Sequence, residues 1–354
     1  MPTSYPDYPS HAQLAAYFQS YARHFDVERR VRFGTEVLSA APIADNRWQI
    51  QVRDPQGESE AIVDALVVAN GHHWRPRLPE YPGHFSGEML HSHDFKRAAL
   101  FAGKRVLVIG GGNSACDVAV ETARVSARTD LSWRRGYWIV PKFILGSPSD
   151  VVGARSRWLP RALRTRLNER MLRALQGTNA QHGLPEPDHH FGAAHPTVNS
   201  ELMYALRHGH IGPRPDIARL DGATVHFTDG TQADYEVIIA CTGYWIAHPF
   251  LRSEVADFSR GPVPLYLRML PERFPTLAFV GLFQPLGCIW PLAELQSRLL
   301  ARRLKGTWTP PTDLAAAIAR ELAHPDYAQL NTPRHTITVD YHAFRARLLK
   351  QLSA

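Results

Sequence analysis

The chain has 354 residues, of which 44% are hydrophobic and 21% are charged. At roughly 100–200 residues per domain, this length suggests two domains, and the composition excludes disordered, collagen-like and coiled-coil proteins. The 40 Lys and Arg residues against 33 Asp and Glu residues give a formal net charge of +7. The three cysteines are far apart and form no CxxC pair, so we expect neither a dithiol redox centre nor a thiolate zinc site. The pairs His91/His93 and His208/His210 have no nearby carboxylate or thiolate pattern, so we expect no metal site there either.

Much of the positive charge lies between Arg155 and Arg173, where Glu169 is the single acidic residue. No nucleic-acid-binding motif accompanies this segment, so we interpret it as a solvated helix face and expect no nucleic-acid partner. The start of the chain has no signal-peptide pattern, and prolines interrupt the one long uncharged stretch, residues 275–293. We therefore expect no membrane partner and a cytoplasmic location.

The first elements are a helix and two strands. Ser10 and Gln13 have the spacing of a capping box and predict a helix start. Apolar residues alternate with polar ones in residues 48–52, which predicts a half-buried antiparallel strand that turns at residues 54–57. The apolar run at residues 65–69 predicts a strand buried on both faces.

A βαβ unit follows, and it predicts a parallel sheet. Its parts are a strand at 106–109, a glycine turn at 110–112, a helix at 114–125 and a strand at 130–133. The arginine-rich helix and a loop at 183–196 then separate this unit from the later strands. The remaining predicted elements are a hairpin at Asp229-Gly230, a buried strand at 237–240, a strand at 279–281, a helix at 291–303 and a peripheral tail from Thr307.

The glycine turn has the pattern GxGxxA, which is typical of dinucleotide-binding sites. The first glycine permits a tight turn, the second lets the backbone approach a pyrophosphate, and the small alanine lets the helix pack on the strand. The helix N-terminus then faces the phosphate charge. The candidate cofactor-binding residues of this turn are Gly110, Gly112, Asn113, Ser114 and Ala115.

The tip of the next strand indicates which dinucleotide is bound. NAD-binding units carry an acid there for the ribose 2′-hydroxyl. Here the tip reads Trp133-Arg134-Arg135, and Asp130 lies at the strand's beginning. Two guanidinium groups suit a 2′-phosphate, so we infer NADPH with Arg134 and Arg135 as its ligands. The alternative is that both arginines are merely solvated.

Two further glycines directly follow buried strands, where they allow the chain to turn sharply beside a ligand or a second domain. Asn70-Gly71 follows the strand at 65–69, and Thr242-Gly243 follows the strand at 237–240. Either turn alone could be purely structural. Because they flank the predicted NADPH unit, together they suggest that this unit is inserted into a larger domain.

The pattern Phe85-x-Gly87-xxx-His91-xxx-Phe95 resembles the identifying sequence of the flavin-containing monooxygenases. Baeyer–Villiger oxygenases have a similar pattern that ends differently, since Lys96 follows here. The resemblance extends over nearly the whole chain, and its further segments are Pro6-Asp7-Tyr8-Pro9, the GxGNSA turn, Thr242-Gly243-Tyr244, Pro249-Phe250, Gln284-Pro285-Leu286-Gly287, Pro291, Glu294, Gln296, Arg298 and residues 335–341.

The resemblance implies an α/β fold with two Rossmann-like, FAD- and NAD(P)-binding domains and parallel sheets. It implies FAD as a second cofactor and a flavoprotein monooxygenase of the N,N-dimethylaniline monooxygenase type. Such an oxidoreductase inserts one oxygen atom of O2 into an amine nitrogen or a sulfide sulfur through a C4a-hydroperoxyflavin. The cofactors perform the chemistry, so we expect no catalytic side chain and interpret His91 as structural. Asn70, Gly71, Thr242, Gly243 and Gln284 complete the candidate cofactor-binding residues.

The expected division places parts of the FAD domain at 1–95 and 236–306, the inserted NADPH domain at 96–235 and a peripheral segment at 307–354. No GxGxxG precedes residue 110, so the FAD domain is expected to be truncated at its N-terminus. A start codon assigned too far downstream, a separate N-terminal FAD-binding chain or a decayed product would each explain this. The alternative function is therefore an inactive NADPH-binding fragment or a partner subunit of a split flavoenzyme. A homo-oligomer also stays open.

Overall fold

The structure is a computed structural model that describes residues 2–258, 263–325 and 336–353; His335 of the family pattern lies outside them. The chain divides into two compact units. The first unit comprises Met1–Val67, His248–Asp257 and Arg273–Leu277, and the second comprises Val68–Ala247, Phe258–Glu272 and Ala278–Ala354.

The described residues form α-helices, β-strands and short 3-10 helices. The α-helices are α1 (His11–His24), α2 (Asn113–Ala123), α3 (Ser149–Arg155), α4 (Arg161–Gln176), α5 (Leu202–Arg207), α6 (Trp290–Leu304), α7 (Leu314–Ala323) and α8 (Tyr341–Ser353). The strands are β1 (Glu36–Pro42), β2 (Trp48–Asp54), β3 (Gly57–Val63), β4 (Leu66–Val68), β5 (Arg75–Pro76), β6 (Gly83–Phe85), β7 (Glu88–His91), β8 (Arg105–Ile109), β9 (Arg128–Ser132), β10 (Ile139–Val140), β11 (Phe143–Ile144), β12 (Ser147–Pro148), β13 (Thr197–Val198), β14 (Ile211–Arg214), β15 (Ile217–Gly222), β16 (Thr224–Phe227), β17 (Gln232–Asp234), β18 (Val237–Ala240), β19 (Tyr244–Trp245), β20 (Leu277–Phe279), β21 (Gln284–Pro285) and β22 (Thr338–Val339). The 3-10 helices are Glu28–Arg30, Ala44–Asn46, Ala98–Phe101 and Ala180–His182.

The first unit contains α1 and the antiparallel sheet β1-β2-β3. The capping box is present, because the Ser10 hydroxyl accepts from the Gln13 N–H at 3.3 Å and Gln13 Oε1 accepts from the Ser10 N–H at 2.8 Å. In β2 the alternation predicted from the sequence is confirmed, since Trp48 and Val52 are buried. The turn between Asp54 and Gly57 joins β2 to β3 as expected.

The second unit is built on a five-stranded parallel sheet in the order β14-β9-β8-β18-β7. The parallel sheet expected from the βαβ unit is therefore confirmed. Val106 and Val108 of β8 pack with residues of α2 and α5 in one cluster. Leu107 and Ile109 point to the opposite face and pack with residues of β15 and β16. The sheet is thus buried on both faces, which explains why β8 and β18 are continuous apolar runs.

Two further parts complete the second unit. The predicted hairpin is confirmed as β16 and β17, which pair antiparallel in a sheet of order β17-β16-β15-β6. Helices α6, α7 and α8 share a separate hydrophobic core. Trp308, Phe344 and Leu348 are buried in that core, so the tail that the sequence indicated as peripheral contributes to packing.

Three sequence expectations about strands need correction. The strand predicted at 65–69 is shorter and is not buried on both faces: it spans Leu66–Val68, in which Val68 is buried but Val67 is 43% exposed. The strand predicted at 130–133 begins at Arg128 and ends at Ser132. The strand predicted at 279–281 ends at Phe279, and Gly281 turns the chain with a φ of +76°.

Candidate cofactor-binding site

The glycine turn lies at the carboxyl edge of the five-stranded sheet, between β8 and α2. Gly110 has a φ of +129°, and a Cβ there would lie 2.6 Å from the carbonyl oxygen of Cys241. The Gly110 N–H donates to the Ser132 carbonyl at 3.0 Å and the Cys241 N–H donates to the Ile109 carbonyl at 2.8 Å, so the turn is held to the ends of both neighbouring strands. Only glycine fits this position, because the left-handed backbone and the close approach each exclude a side chain.

The N-terminus of α2 is open to an anion. Gly112 is its N-cap and supplies no side-chain cap. The first N–H groups of a helix lack intrahelical partners and carry a partial positive charge, so they favour a phosphate. Ser114 is exposed at this end, whereas Ala115 is fully buried against the sheet, as its predicted packing role requires.

Gly111, which the sequence analysis did not count as a site residue, is also sterically required. A Cβ there would lie 2.4 Å from the Tyr137 ring and 3.2 Å from the ring of Trp133. These two aromatic rings contact each other edge to face at 5.6 Å. The two rings therefore pack against Gly111 and leave no room for a side chain at this position. The three consecutive glycines indicate that side chains do not fit in this turn, but the sequence does not indicate that Tyr137 is the residue that fills the space.

Arg134 and Arg135 follow β9 after the buried Trp133, whose ring lies near Gly111 of the turn, and both arginines are exposed. In the described part of the chain neither guanidinium forms a salt bridge. Burial raises the pKa of Tyr81 to about 12; Asp216 adds to this rise, whereas the positive charge of Arg134 opposes it. Arg134 therefore lies within electrostatic reach of the Tyr81 hydroxyl.

Asp130 is not available to a ribose. Its carboxylate is 1% exposed and accepts from Arg128 at 2.8 and 3.0 Å, from Arg214 Nε at 2.8 Å and from the Tyr235 hydroxyl at 2.5 Å. Gly212, opposite Asp130 on β14, makes room, since a Cβ there would lie 2.3 Å from Asp130 Oδ1. Burial, reinforced by the hydrogen bond to Asp130, raises the pKa of Tyr235 above its usual range, so its hydroxyl remains a donor.

The structure brings the two other glycine turns together. Strand β5, which follows Asn70-Gly71, pairs antiparallel with β19, which follows Thr242-Gly243. The Arg77 guanidinium donates to the Thr242 carbonyl at 2.7 and 3.1 Å, and the Arg77 N–H donates to the Gly243 carbonyl at 3.0 Å. Gly71 and Gly243 have φ values of +73° and +83°, so both positions use the freedom of glycine.

The Phe-Gly-His pattern stabilises the start of β7 and its contact with β18. A Cβ at Gly87 would lie 2.5 Å from the Glu236 carbonyl and 2.7 Å from the Phe85 ring, so this glycine permits a close approach of the strands. His91 is 2% exposed, and its Nδ1 accepts from the His93 N–H at 3.1 Å. Burial lowers the pKa of His91, which favours the neutral ring. This environment suits a structural histidine.

Gln284 lies elsewhere in the second unit, on β21, where its N–H donates to the Ile337 carbonyl at 2.8 Å. Its neighbour Phe283 belongs to the core of α6 and α8 and not to the sheet that carries the glycine turn. The described residues contain no group of three or more His, Cys, Asp or Glu residues that could hold a metal ion. They also contain no helix with the length and hydropathy of a membrane span.

An open parallel sheet with a glycine turn at its carboxyl edge defines a dinucleotide-binding α/β protein. The profile of the flavin-binding monooxygenase-like family matches residues 1–354. Human flavin-containing monooxygenase 5 is 32% identical over 371 aligned positions, which cover 96% of this chain and 67% of that protein. Rat dimethylaniline monooxygenase [N-oxide-forming] 2 is 33% identical, over 88% of this chain and 62% of that protein. The chain therefore belongs to the flavin-binding monooxygenase-like family.

Solved structures share the fold. S-allyl-L-cysteine S-oxygenase from Allium sativum matches with a TM-score of 0.67 and 24% identity over 100% of this chain and 69% of that chain. Cyclohexanone monooxygenase from Rhodococcus sp. Phi1, bound to NADP+, matches with a TM-score of 0.67 and 17% identity over 96% of this chain and 82% of that chain. The chain spans 62–67% of the length of the human and rat relatives.

The family match confirms the resemblance inferred from the sequence. Flavin-dependent monooxygenases of this family use FAD and NADPH. The turn after β8 fits NADPH: the helix N-terminus has no side-chain cap, the glycines admit close approach, and two exposed arginines follow the neighbouring strand. Among the described residues this is the one cradle formed by a strand, a glycine turn and a helix.

Proposed function

We propose that the chain binds NADPH in an NADPH- and FAD-dependent monooxygenase that inserts one oxygen atom of O2 into an amine nitrogen or a sulfide sulfur. One observation carries the choice of NADPH. The acid of β9, Asp130, is buried among Arg128, Arg214 and Tyr235, while Arg134 at the strand's end is exposed. An exposed guanidinium recognises a 2′-phosphate, whereas a buried carboxylate cannot reach a 2′-hydroxyl.

The residues of the turn have separate tasks in this proposal. NADPH, when bound, supplies the hydride equivalent that reduces the flavin in such enzymes. The N–H groups at the start of α2 neutralise the pyrophosphate, and Arg134 and Arg135 hold the 2′-phosphate. We assign to the cofactors the further residues Asn70, Gly71, Thr242, Gly243 and Gln284. The name of the rat relative, which forms N-oxides from dimethylaniline, supports an amine as substrate.

The same proposal covers the domains and the assembly. Residues 96–235 would form an inserted NADPH domain, with FAD-domain parts at 1–95 and 236–306; β7 and β18, which lie in those flanking parts, would complete the parallel sheet of the inserted domain. The pairing of β5 with β19 supports the insertion, because it joins the two chain segments that flank the NADPH unit. A separate FAD-binding chain or a second copy of this chain would be the protein partner.

Activity of the purified chain tests the proposal. With added FAD and NADPH we expect flavin absorbance to remain with the protein through gel filtration, and NADPH oxidation to increase when N,N-dimethylaniline or a thioether is supplied. The oxygenated product, an N-oxide or a sulfoxide, should account for the NADPH consumed in excess of the substrate-free rate. A colourless protein that FAD does not restore, with no oxygen consumption, would reject monooxygenase activity of this chain.

A second function, an NADPH-binding subunit without flavin, would use the same glycine turn after β8 and the same exposed arginines. It predicts saturable NADPH binding without flavin uptake. Co-purification with a chain that carries a GxGxxG motif, and restoration of NADPH oxidation by that chain, would distinguish a split flavoenzyme from an inactive subunit.

A further inference from the structure

The segment Thr197–Asn199, which follows the loop at 183–196, lies against the start of α2. Strand β13 pairs parallel with β10, and the N–H groups of Thr197 and Asn199 donate to the carbonyls of Trp138 and Val140, each at 2.9 Å. Thr197 is 1% exposed and Asn199 is 3% exposed. The segment is therefore held firmly from one side by β10. We call residues 197–199 the clamp.

From its other side the clamp makes three hydrogen bonds to the glycine turn and α2. The Thr197 hydroxyl donates to the Gly111 carbonyl at 2.8 Å. The Val198 N–H donates to Asn113 Oδ1 at 2.7 Å, and Asn199 Nδ2 donates to Asp117 Oδ1 at 2.8 Å. Three successive residues thus engage the turn, the first residue of the helix and its second turn.

The Thr197 contact orients a backbone donor. A trans peptide is planar, so the carbonyl of Gly111 and the N–H of Gly112 point in opposite directions. Because Thr197 holds this carbonyl toward the clamp, the Gly112 N–H is directed away from it. Without the hydroxyl, this peptide would have more rotational freedom, since glycines flank it on both sides.

The Val198 contact orients a side-chain donor. An amide side chain has an accepting oxygen and a donating nitrogen, and either could face the backbone. The N–H of Val198 can bond only to the oxygen, so it selects one orientation of the Asn113 amide. Asn113 Nδ2, with two N–H donors, then points away from the Val198 N–H. Asn113 is the first residue of α2, next to the expected pyrophosphate.

We propose that the clamp is a positioning element that aims two donors, the Gly112 N–H and Asn113 Nδ2, at the pyrophosphate of NADPH. This inference rests on the proposed function, because it assumes that the turn binds NADPH. Thr197 and Val198 do not touch the cofactor themselves; they act through Gly111 and Asn113. The clamp serves the pyrophosphate only, since the 2′-phosphate is assigned to Arg134 and Arg135 after β9.

Two ligands distinguish the contacts to the pyrophosphate from the contacts to the 2′-phosphate. They are NADPH, and adenosine 2′-monophosphate, which has the 2′-phosphate but no pyrophosphate. Thr197→Val removes the hydroxyl at nearly constant shape and should weaken NADPH binding about tenfold, while adenosine 2′-monophosphate binds as to the wild type. Thr197→Ser keeps the hydroxyl and should restore NADPH binding. Asn113→Asp keeps the acceptor for Val198 but loses the donor, so it should weaken NADPH binding by tenfold or more and preserve binding of adenosine 2′-monophosphate.

Calorimetric titration of both ligands measures these effects, and Thr197→Ala, which also removes the hydroxyl, carries the test if Thr197→Val does not fold. Unchanged NADPH binding in Thr197→Val and Asn113→Asp would overturn the clamp, as would an equal loss of both ligands. A wild-type protein that binds neither ligand would instead reject the proposed function, and the clamp with it.

Discussion

Arg134→Ala is expected to weaken NADPH binding by about 1.5–3 kcal/mol, the typical contribution of a hydrogen bond to a charged group, and to leave NADH binding unchanged. The reason is that Arg134 is exposed beside the glycine turn, and among the described residues its guanidinium has no carboxylate partner. NADH lacks the 2′-phosphate and so does not use this contact. Titration of the wild type and the variant with both nucleotides measures the difference.

Arg207→Ala is the matched control. Arg207 ends α5 just before β14, at the opposite edge of the parallel sheet from the turn, and it is exposed. This variant loses the same charge but should bind both nucleotides like the wild type. Arg135→Ala should share the NADPH-selective loss. If Arg134→Ala weakens NADPH and NADH equally, the assignment of this arginine to the 2′-phosphate is wrong.

Asp130→Asn should lower the free energy of unfolding by about 1.5–3 kcal/mol, because a buried carboxylate that accepts hydrogen bonds from two guanidinium groups is lost, while both arginines keep partial access to water. The carboxylate is 1% exposed, and Arg128, Arg214 and Tyr235 all donate to it. An asparagine also presents an amide nitrogen to one of these donors, which creates a clash of donors. Chemical denaturation at constant pH measures the change.

The ion pair of Arg219 and Asp221 provides a control. It has the same chemistry as the pairs of Asp130, but it lies at the surface, where its side chains are 50% and 65% exposed. Asp221→Asn should leave the denaturation midpoint unchanged, because solvent screens exposed ion pairs. Tyr235→Phe should destabilise the protein less than Asp130→Asn, since it removes one neutral donor. Equal midpoints for Asp130→Asn and the wild type would show that the buried network does not stabilise the sheet.

Local sequence patterns predicted the centre of the second unit. The apolar runs at β8 and β18, the glycines between β8 and α2 and the small Ala115 all depend on neighbours close in the chain or on burial in a sheet, which periodicity reveals. The capping box of Ser10 and the hairpin after β16 are equally local. The family could be inferred because many short motifs occur together, from Pro6 to Tyr341.

Contacts between distant residues could not be predicted in this way. Asp130 was placed away from the ribose because of its position on the strand, but nothing local indicates that Arg214 and Tyr235, 84 and 105 residues later, surround it. The clamp is a similar case, since Thr197 contacts Gly111 across 86 residues. Val67 is exposed although its neighbours are apolar, because burial depends on which elements cover a strand.

A crystal structure of the chain with NADP+ tests the account most directly. We predict electron density for the pyrophosphate at the N-terminus of α2, within hydrogen-bonding distance of the Gly112 N–H, and density for the 2′-phosphate beside Arg134. Density for the nucleotide at another site, or a 2′-phosphate in solvent with both arginines unengaged, would contradict it.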